Sequence, residues 1–108
     1  MAALAVLLSS LAITSGLQGT VMRGPTQPVC TVDSPCTERV QHKVLSFVRA
    51  GRVYRTSTTV TGHYRVRLAP GRYIVRIPGA DFGVKPASVL VVRGKFRTQN
   101  IFVDTGIR

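Results

Sequence analysis

Residues 63–77, HYRVRLAPGRYIVRI, alternate side chains with a period of two on both sides of a Pro70-Gly71 corner. A helix places every third or fourth residue on one face, so this spacing cannot form an apolar helical stripe, whereas a strand sorts it cleanly. Tyr64, Val66 and Leu68 share one face with Arg65 and Arg67 on the other, and Tyr73, Val75 and Ile77 share a face opposite Arg72, Ile74 and Arg76. Pro70 presets φ, and Gly71 is suited to the positive φ of a tight corner. The pattern predicts a hairpin in which Leu68 meets Tyr73, Val66 meets Val75 and Tyr64 meets Ile77. In that register Arg65 faces Arg76 on the outer side, where like charges directly opposite are mildly destabilising.

The rest of the chain reads the same way. KVLSFVR and RVYRTST flank Ala50-Gly51 as a second hairpin, with a further connection at Thr61-Gly62. QGTVMR is a short strand stopped by GPTQP, and Gly24 to Thr37, with Pro25, Pro28 and Pro35, is a loop. SVLVVR, a turn at Gly94 and KFRTQNIFVD close the sheet before TGIR. No stretch after residue 40 has a helical period with caps. About seven short strands with turn signals every ~8–12 residues predict an all-β fold, a small single-domain antiparallel β-sandwich.

MAALAVLLSSLAITSG carries no charge and ends in small residues, so residues 1–17 read as a signal peptide or N-terminal hydrophobic segment preceding a domain at 18–108. Its apolar run is short of the ~20 residues that span a bilayer, and cleavage is expected between Ser15 and Gly19. The remaining chain holds all 15 Lys and Arg against 4 Asp and Glu, a formal charge of +11. Such an imbalance attracts polyanions such as anionic lipid, cell-wall polymer or nucleic acid and says nothing about fold. Arg outnumbers Lys heavily, which GC-rich coding also produces. Cys30 and Cys36, with five residues between them, most simply close a small disulfide loop in an oxidising compartment. Free thiols rank second and lipid attachment at Cys30 third. His42 and His63 supply no zinc spacing, and the redox CxxC is absent.

TTVTGHYRVRLAPGRYIVRI resembles the hairpin T-D-x-x-G-x-F-x-x-x-L-x-P-G-x-Y of carboxypeptidase regulatory-like domains, which are transthyretin-like (prealbumin-like) β-sandwiches. The frame QGTVMRGPTQPVC, then Cys36, the hairpins and a terminal DTGIR resembles small exported bacterial proteins of that class, over nearly all of residues 18–108. Val60 departs from the pattern, standing near where the family has a polar or acidic turn residue. The resemblance implies a non-catalytic accessory or binding module in an exported, secreted or envelope-associated setting.

Catalytic material is thin. Four carboxylates and two histidines, with no GxSxG elbow and no phosphate-cradling glycine motif, point away from an enzyme and imply no cofactor or metal. An isopeptide bond between Lys43 and Asn100 needs a buried acid that Glu38, Asp81 and Asp104, in loops or at strand ends, do not provide. Asp104 is suited to fixing the DTGIR tail by accepting backbone N–H groups or pairing with Arg108. Gly62, Pro70 and Gly71 read as structural. The main functional expectation is that Arg65, Arg67, Arg72 and Arg76 form one anion-binding face. Its partner is an anionic cell-envelope polymer or membrane surface. The alternatives are a structural module joining another exported protein by a strand edge, and a glycan-binding domain, which the absence of Trp disfavours. Nucleic acid is disfavoured by the export signal and the lack of an RNA-binding motif.

Overall fold

The computed structural model describes residues 15–31 and 36–107. The strands are β1 (Gly16–Gly24), β2 (Glu38–Arg39), β3 (Val44–Arg49), β4 (Arg52–Ser57), β5 (His63–Arg67), β6 (Gly71–Arg76), β7 (Val84–Lys85), β8 (Ser88–Val91), β9 (Phe96–Thr98) and β10 (Ile101–Asp104). They form two sheets with a shared core, the all-β sandwich expected. The first sheet is built around β1, whose N-terminal half lies between β5 and β9 and whose C-terminal half lies between β2 and β10, with β7 beyond β10. The second sheet runs β4-β3-β6-β8 and is antiparallel throughout. Within the first sheet β1 runs parallel to β9 and β10.

The period of two holds on both strands of the opening motif, but they do not pair. β5 pairs with β1, placing Gln18 beside Arg65 and Leu17 beside Val66. β6 pairs with β3 and β8, placing Phe47 beside Val75 and Leu90 beside Arg72. Leu68, Ala69 and Pro70 therefore carry the chain from one sheet to the other, and the expected contacts of Leu68 with Tyr73 and of Arg65 with Arg76 are not made. Alternation fixes which face is buried, not which strand is the neighbour. The observed pairing satisfies it by facing the two apolar rows across the core, and it keeps Arg65 and Arg76 from standing opposite one another.

Leu17, Val21, Phe47, Tyr73 and Ile101 are almost fully buried. Phe47 of the second sheet meets Tyr64 of the first with ring centroids 6.0 Å apart, and Tyr54 packs edge-on against Tyr73 at 5.9 Å. The hydroxyls of Tyr64 and Tyr73 are satisfied at the core margin: Tyr64 donates to Gln99 O, and Tyr73 donates to Ala69 O at 2.7 Å.

The expected signal segment lies outside the described residues as far as Thr14. Ser15, Gly16 and Leu17, by contrast, belong to the fold. Ser15 Oγ donates to Leu68 O at 2.6 Å, Leu68 N donates to Ser15 O at 3.1 Å, and Leu17 is 1% exposed. β1 begins at Gly16, so a cut between Ser15 and Gly19 would fall within this part of the fold.

KFRTQNIFVD, read as one strand, breaks into β9 and β10 at Gln99-Asn100. Asn100 Oδ1 accepts the Thr20 N–H at 3.0 Å, standing in for a backbone carbonyl, while Gln99 N donates to Gln18 O at 2.8 Å. The bend presses so close to Gly19 that a Cβ there would overlap Gln99 O. The β3–β4 hairpin forms as expected. Its Ala50 and Gly51 both have positive φ, 50° and 77°, the pattern of a type I′ turn.

Candidate functional site

The four expected anion-binding arginines fall on two surfaces. Arg65 and Arg67 alternate with buried Tyr64 and Val66, so they project from the outer face of the first sheet. Arg72 and Arg76 alternate with buried Tyr73 and Val75 and project from the outer face of the second sheet, on the other side of the sandwich. A single face of four arginines is therefore not built.

Arg65 is engaged within its own sheet. Its Nη1 donates to Gln18 Oε1 at 2.6 Å, and its guanidinium lies 3.9 Å from the centroid of the Phe96 ring. β9 brings that ring over Gly16, where a Cβ would strike both Phe96 and Val66 O. Cation–π stacking and a hydrogen bond hold this guanidinium flat against the protein, which makes Arg65 a structural tie across β5, β1 and β9. Beside it, Gln18, Thr20, His63, Tyr64, Thr98 and Asn100 line a shallow groove of about 390 Å³. His63 Nδ1 sits 2.9 Å from Thr61 Oγ1 in the preceding turn.

The outer face of the second sheet is different in kind. Register places Val53, Val48 and Ile74 in one row across β4, β3 and β6. Ile74 is 50% exposed, Val53 45% and Leu90, on β8, 42%. The adjoining row is Arg55, Ser46, Arg76, with both arginines opposite the serine, and Arg72 lies beside Leu90. Ser46, Val48, Val53, Arg55, Arg76 and Pro78 line an open groove of about 430 Å³. Ser46, Arg55 and Arg76 have no side-chain hydrogen bond or ion pair to another described residue. None of the described carboxylates, Glu38, Asp81 and Asp104, is on β3, β4, β6 or β8.

Ser46 and Val48 are not visible as part of a site in the sequence, because β3 is apolar in both phases. Val44 and Val48 alternate with Leu45 and Phe47, so alternation alone does not say which set is outside. The hydroxyl-bearing Ser46, between Leu45 and Phe47, is the one signal of the outward phase.

A larger groove, about 530 Å³, lies along Arg23, Glu38, Arg39, Val40, Gln41 and Lys43. Its Arg23 is paired with Glu38, which answers part of its charge. Among the described residues no three His, Cys, Asp or Glu side chains come together. Burial raises the phenol of Tyr64 above its ordinary pKa of 10.0.

The residues read as structural occupy defined positions. Gly62 has φ 79° and lies against Arg39 Cβ and Val21 O. Gly71 has φ 149°, and the guanidinium of Arg49 passes where its Cβ would be before stacking 5.9 Å from the centroid of Tyr73. Pro70 is half-buried ahead of it. Asp104 Oδ1 accepts the Gly106 N–H at 2.8 Å, and Arg108 lies outside the described residues. Thr105 ties the same tail to Gly24 O through its N–H at 3.1 Å and to Pro25 O through its hydroxyl. Cys30 and Cys36 are joined in a disulfide, with Cα atoms 5.2 Å apart, a bond compatible with an oxidising, extracytoplasmic compartment.

No protein-family model, curated protein or solved structure matches the chain, so its resemblance to transthyretin-like domains rests on the residues quoted above.

Proposed function

We propose that the protein is a non-catalytic, exported β-sandwich that attaches to an anionic surface of the cell envelope through the outer face of its second sheet. The observation that carries this reading is the coincidence on one face of an apolar row, Val53, Val48 and Ile74, with Arg55, Arg72 and Arg76, none of which is met by a described carboxylate. Basic residues held near an anionic surface contribute about 1 kcal/mol each, and they do so only within about a Debye length. A formal charge of +11 favours the encounter of the domain with such a surface, the more so at low salt. The disulfide and the N-terminal apolar segment support export.

The test is co-sedimentation of the purified protein with vesicles containing phosphatidylglycerol, with vesicles of phosphatidylcholine alone, with a teichoic-type polymer and with a neutral polysaccharide, across a salt series. Binding to an anionic partner that weakens steeply with salt is expected, with little binding to phosphatidylcholine or the neutral glycan. Salt-independent binding to the polysaccharide would replace this reading with glycan recognition, for which the groove at Gln18, His63 and Asn100 is the place to look. No binding to any of them would turn the search to protein partners.

A further inference from the structure

We infer that Arg55, Ser46 and Arg76 hold the phosphate of an anionic lipid headgroup, with Val53, Val48 and Ile74 lying under the apolar end of the same molecule. The inference rests on the attachment reading above and names the ligand of that face. Arg55 and Arg76 both stand opposite Ser46, on the strands either side of it. Neighbouring strands are about 4.8 Å apart, so the two Cα atoms lie about 10 Å apart across the serine, and two side chains as long as arginine reach an anion seated above it. The guanidinium forks supply paired N–H donors suited to phosphate oxygens, and the Ser46 hydroxyl supplies another between them. None of the three groups is already bonded to another described residue.

What separates lipid from a soluble polyanion is the adjoining row. A teichoic-type polymer or nucleic acid would use the arginines and leave Ile74, Val53 and Leu90, each between 42% and 50% exposed, in water. A lipid covers them. The apolar row is next to the Arg55–Ser46–Arg76 row, two residues or about 7 Å along each strand, so headgroup and chain of one molecule meet both at once. The corresponding place on the first sheet lacks this pairing, since Arg65 is committed to Gln18 and Phe96.

The experiment is an NMR titration of the full chain with dihexanoyl phosphatidylglycerol below its micelle concentration, beside inorganic phosphate and dihexanoyl phosphatidylcholine. It is run on wild type, on Arg55→Ser with Arg76→Ser, and on the charge-matched Arg67→Ser with Lys95→Ser. The expected result is saturable amide shifts at Ser46, Val48, Arg55, Ile74 and Arg76, at least tenfold weaker in the first variant and within twofold of wild type in the second. Retained spectral dispersion in both variants shows that they fold. Equal weakening by both variants, or equal shifts with inorganic phosphate, would overturn the headgroup site. If vesicles containing phosphatidylglycerol still bind in that case, attachment survives and the site fails alone. Absence of vesicle binding by wild type would overturn both, and binding to the teichoic-type polymer but not to vesicles would overturn the lipid assignment and leave anionic attachment standing.

Discussion

Arg55 and Arg76 flank Ser46 from β4 and β6, two strands that have β3 between them and no contact through sequence. The relationship exists only because β6 joins the second sheet. Had β5 and β6 paired as a hairpin, Arg76 would have faced Arg65. The sheet-to-sheet crossover at Leu68–Pro70 is thus what assembles an arginine pair on one outer face, and the apolar row beside it, from the β3–β4 hairpin and the distant β6.

The β3–β4 turn carries a local conflict. Ala50 adopts φ 50°, a left-handed conformation that costs an L-residue with a Cβ about 1 kcal/mol or more, whereas Asn accepts it readily. Ala50→Asn, which gives the Asn-Gly pair favoured in type I′ turns, is expected to raise stability by about 0.5–1 kcal/mol in urea denaturation. A loss of stability would show that the turn is not in this conformation.

Tyr64 gives the fold an alkaline limit. Burial raises the pKa of its phenol above the ordinary value of 10.0, and its hydroxyl donates to Gln99 O. Between the unfolded and folded pKa values the native state binds the proton and the unfolded state does not, so stability falls as pH rises above about 10. Tyr64→Phe loses a hydrogen bond worth about 1 kcal/mol at neutral pH. It is expected to flatten the alkaline decline, so the two proteins converge in thermal stability above pH 10. Parallel pH curves would remove Tyr64 as the cause.

Gly16 is required by contact rather than by φ. A Cβ there would overlap Val66 O and the Phe96 ring, and at least one of these is backbone that cannot swing away. Gly16→Ala is expected to cost about 2 kcal/mol, in the range of overpacked sites, and to release Phe96 from its stack with Arg65. An unchanged denaturation midpoint would contradict this account of the β1–β9 junction.

The disulfide constrains a short loop. For Cys30–Cys36 the chain-entropy model gives about 2 kcal/mol. The doubly substituted Cys30→Ser, Cys36→Ser protein is expected to unfold at correspondingly lower denaturant while keeping the β-sheet circular dichroism. Stability equal to wild type would mean that Thr26 N, which donates to Cys36 O at 2.7 Å, and its neighbours hold the loop without the bond.

Fold class was legible because burial follows alternation: Tyr64, Val66, Tyr73 and Val75 are inside and Arg65, Arg67, Arg72 and Arg76 are outside. Strand partnership was not legible, since a period of two is equally satisfied by a hairpin and by two sheets facing across a core. That single ambiguity accounts for the misplaced arginine cluster. The place of Leu17 in the core was obscured because it continues an apolar run that also reads as an export signal. Ser46 and Val48 were hidden by a strand apolar on both faces. The parallel pairing of β1 with β10 has no local signature at all, because it joins the two ends of the domain.

The most direct test of which face meets the surface is amide paramagnetic relaxation of the protein on phosphatidylglycerol bicelles doped with a gadolinium-chelating lipid. The account predicts selective broadening at Ser46, Val48, Val53, Arg55, Ile74, Arg76 and Leu90, with sharp signals retained at Gln18, His63, Arg65 and Thr98. Broadening centred on His63–Arg67, or spread evenly over both sheets, would contradict it.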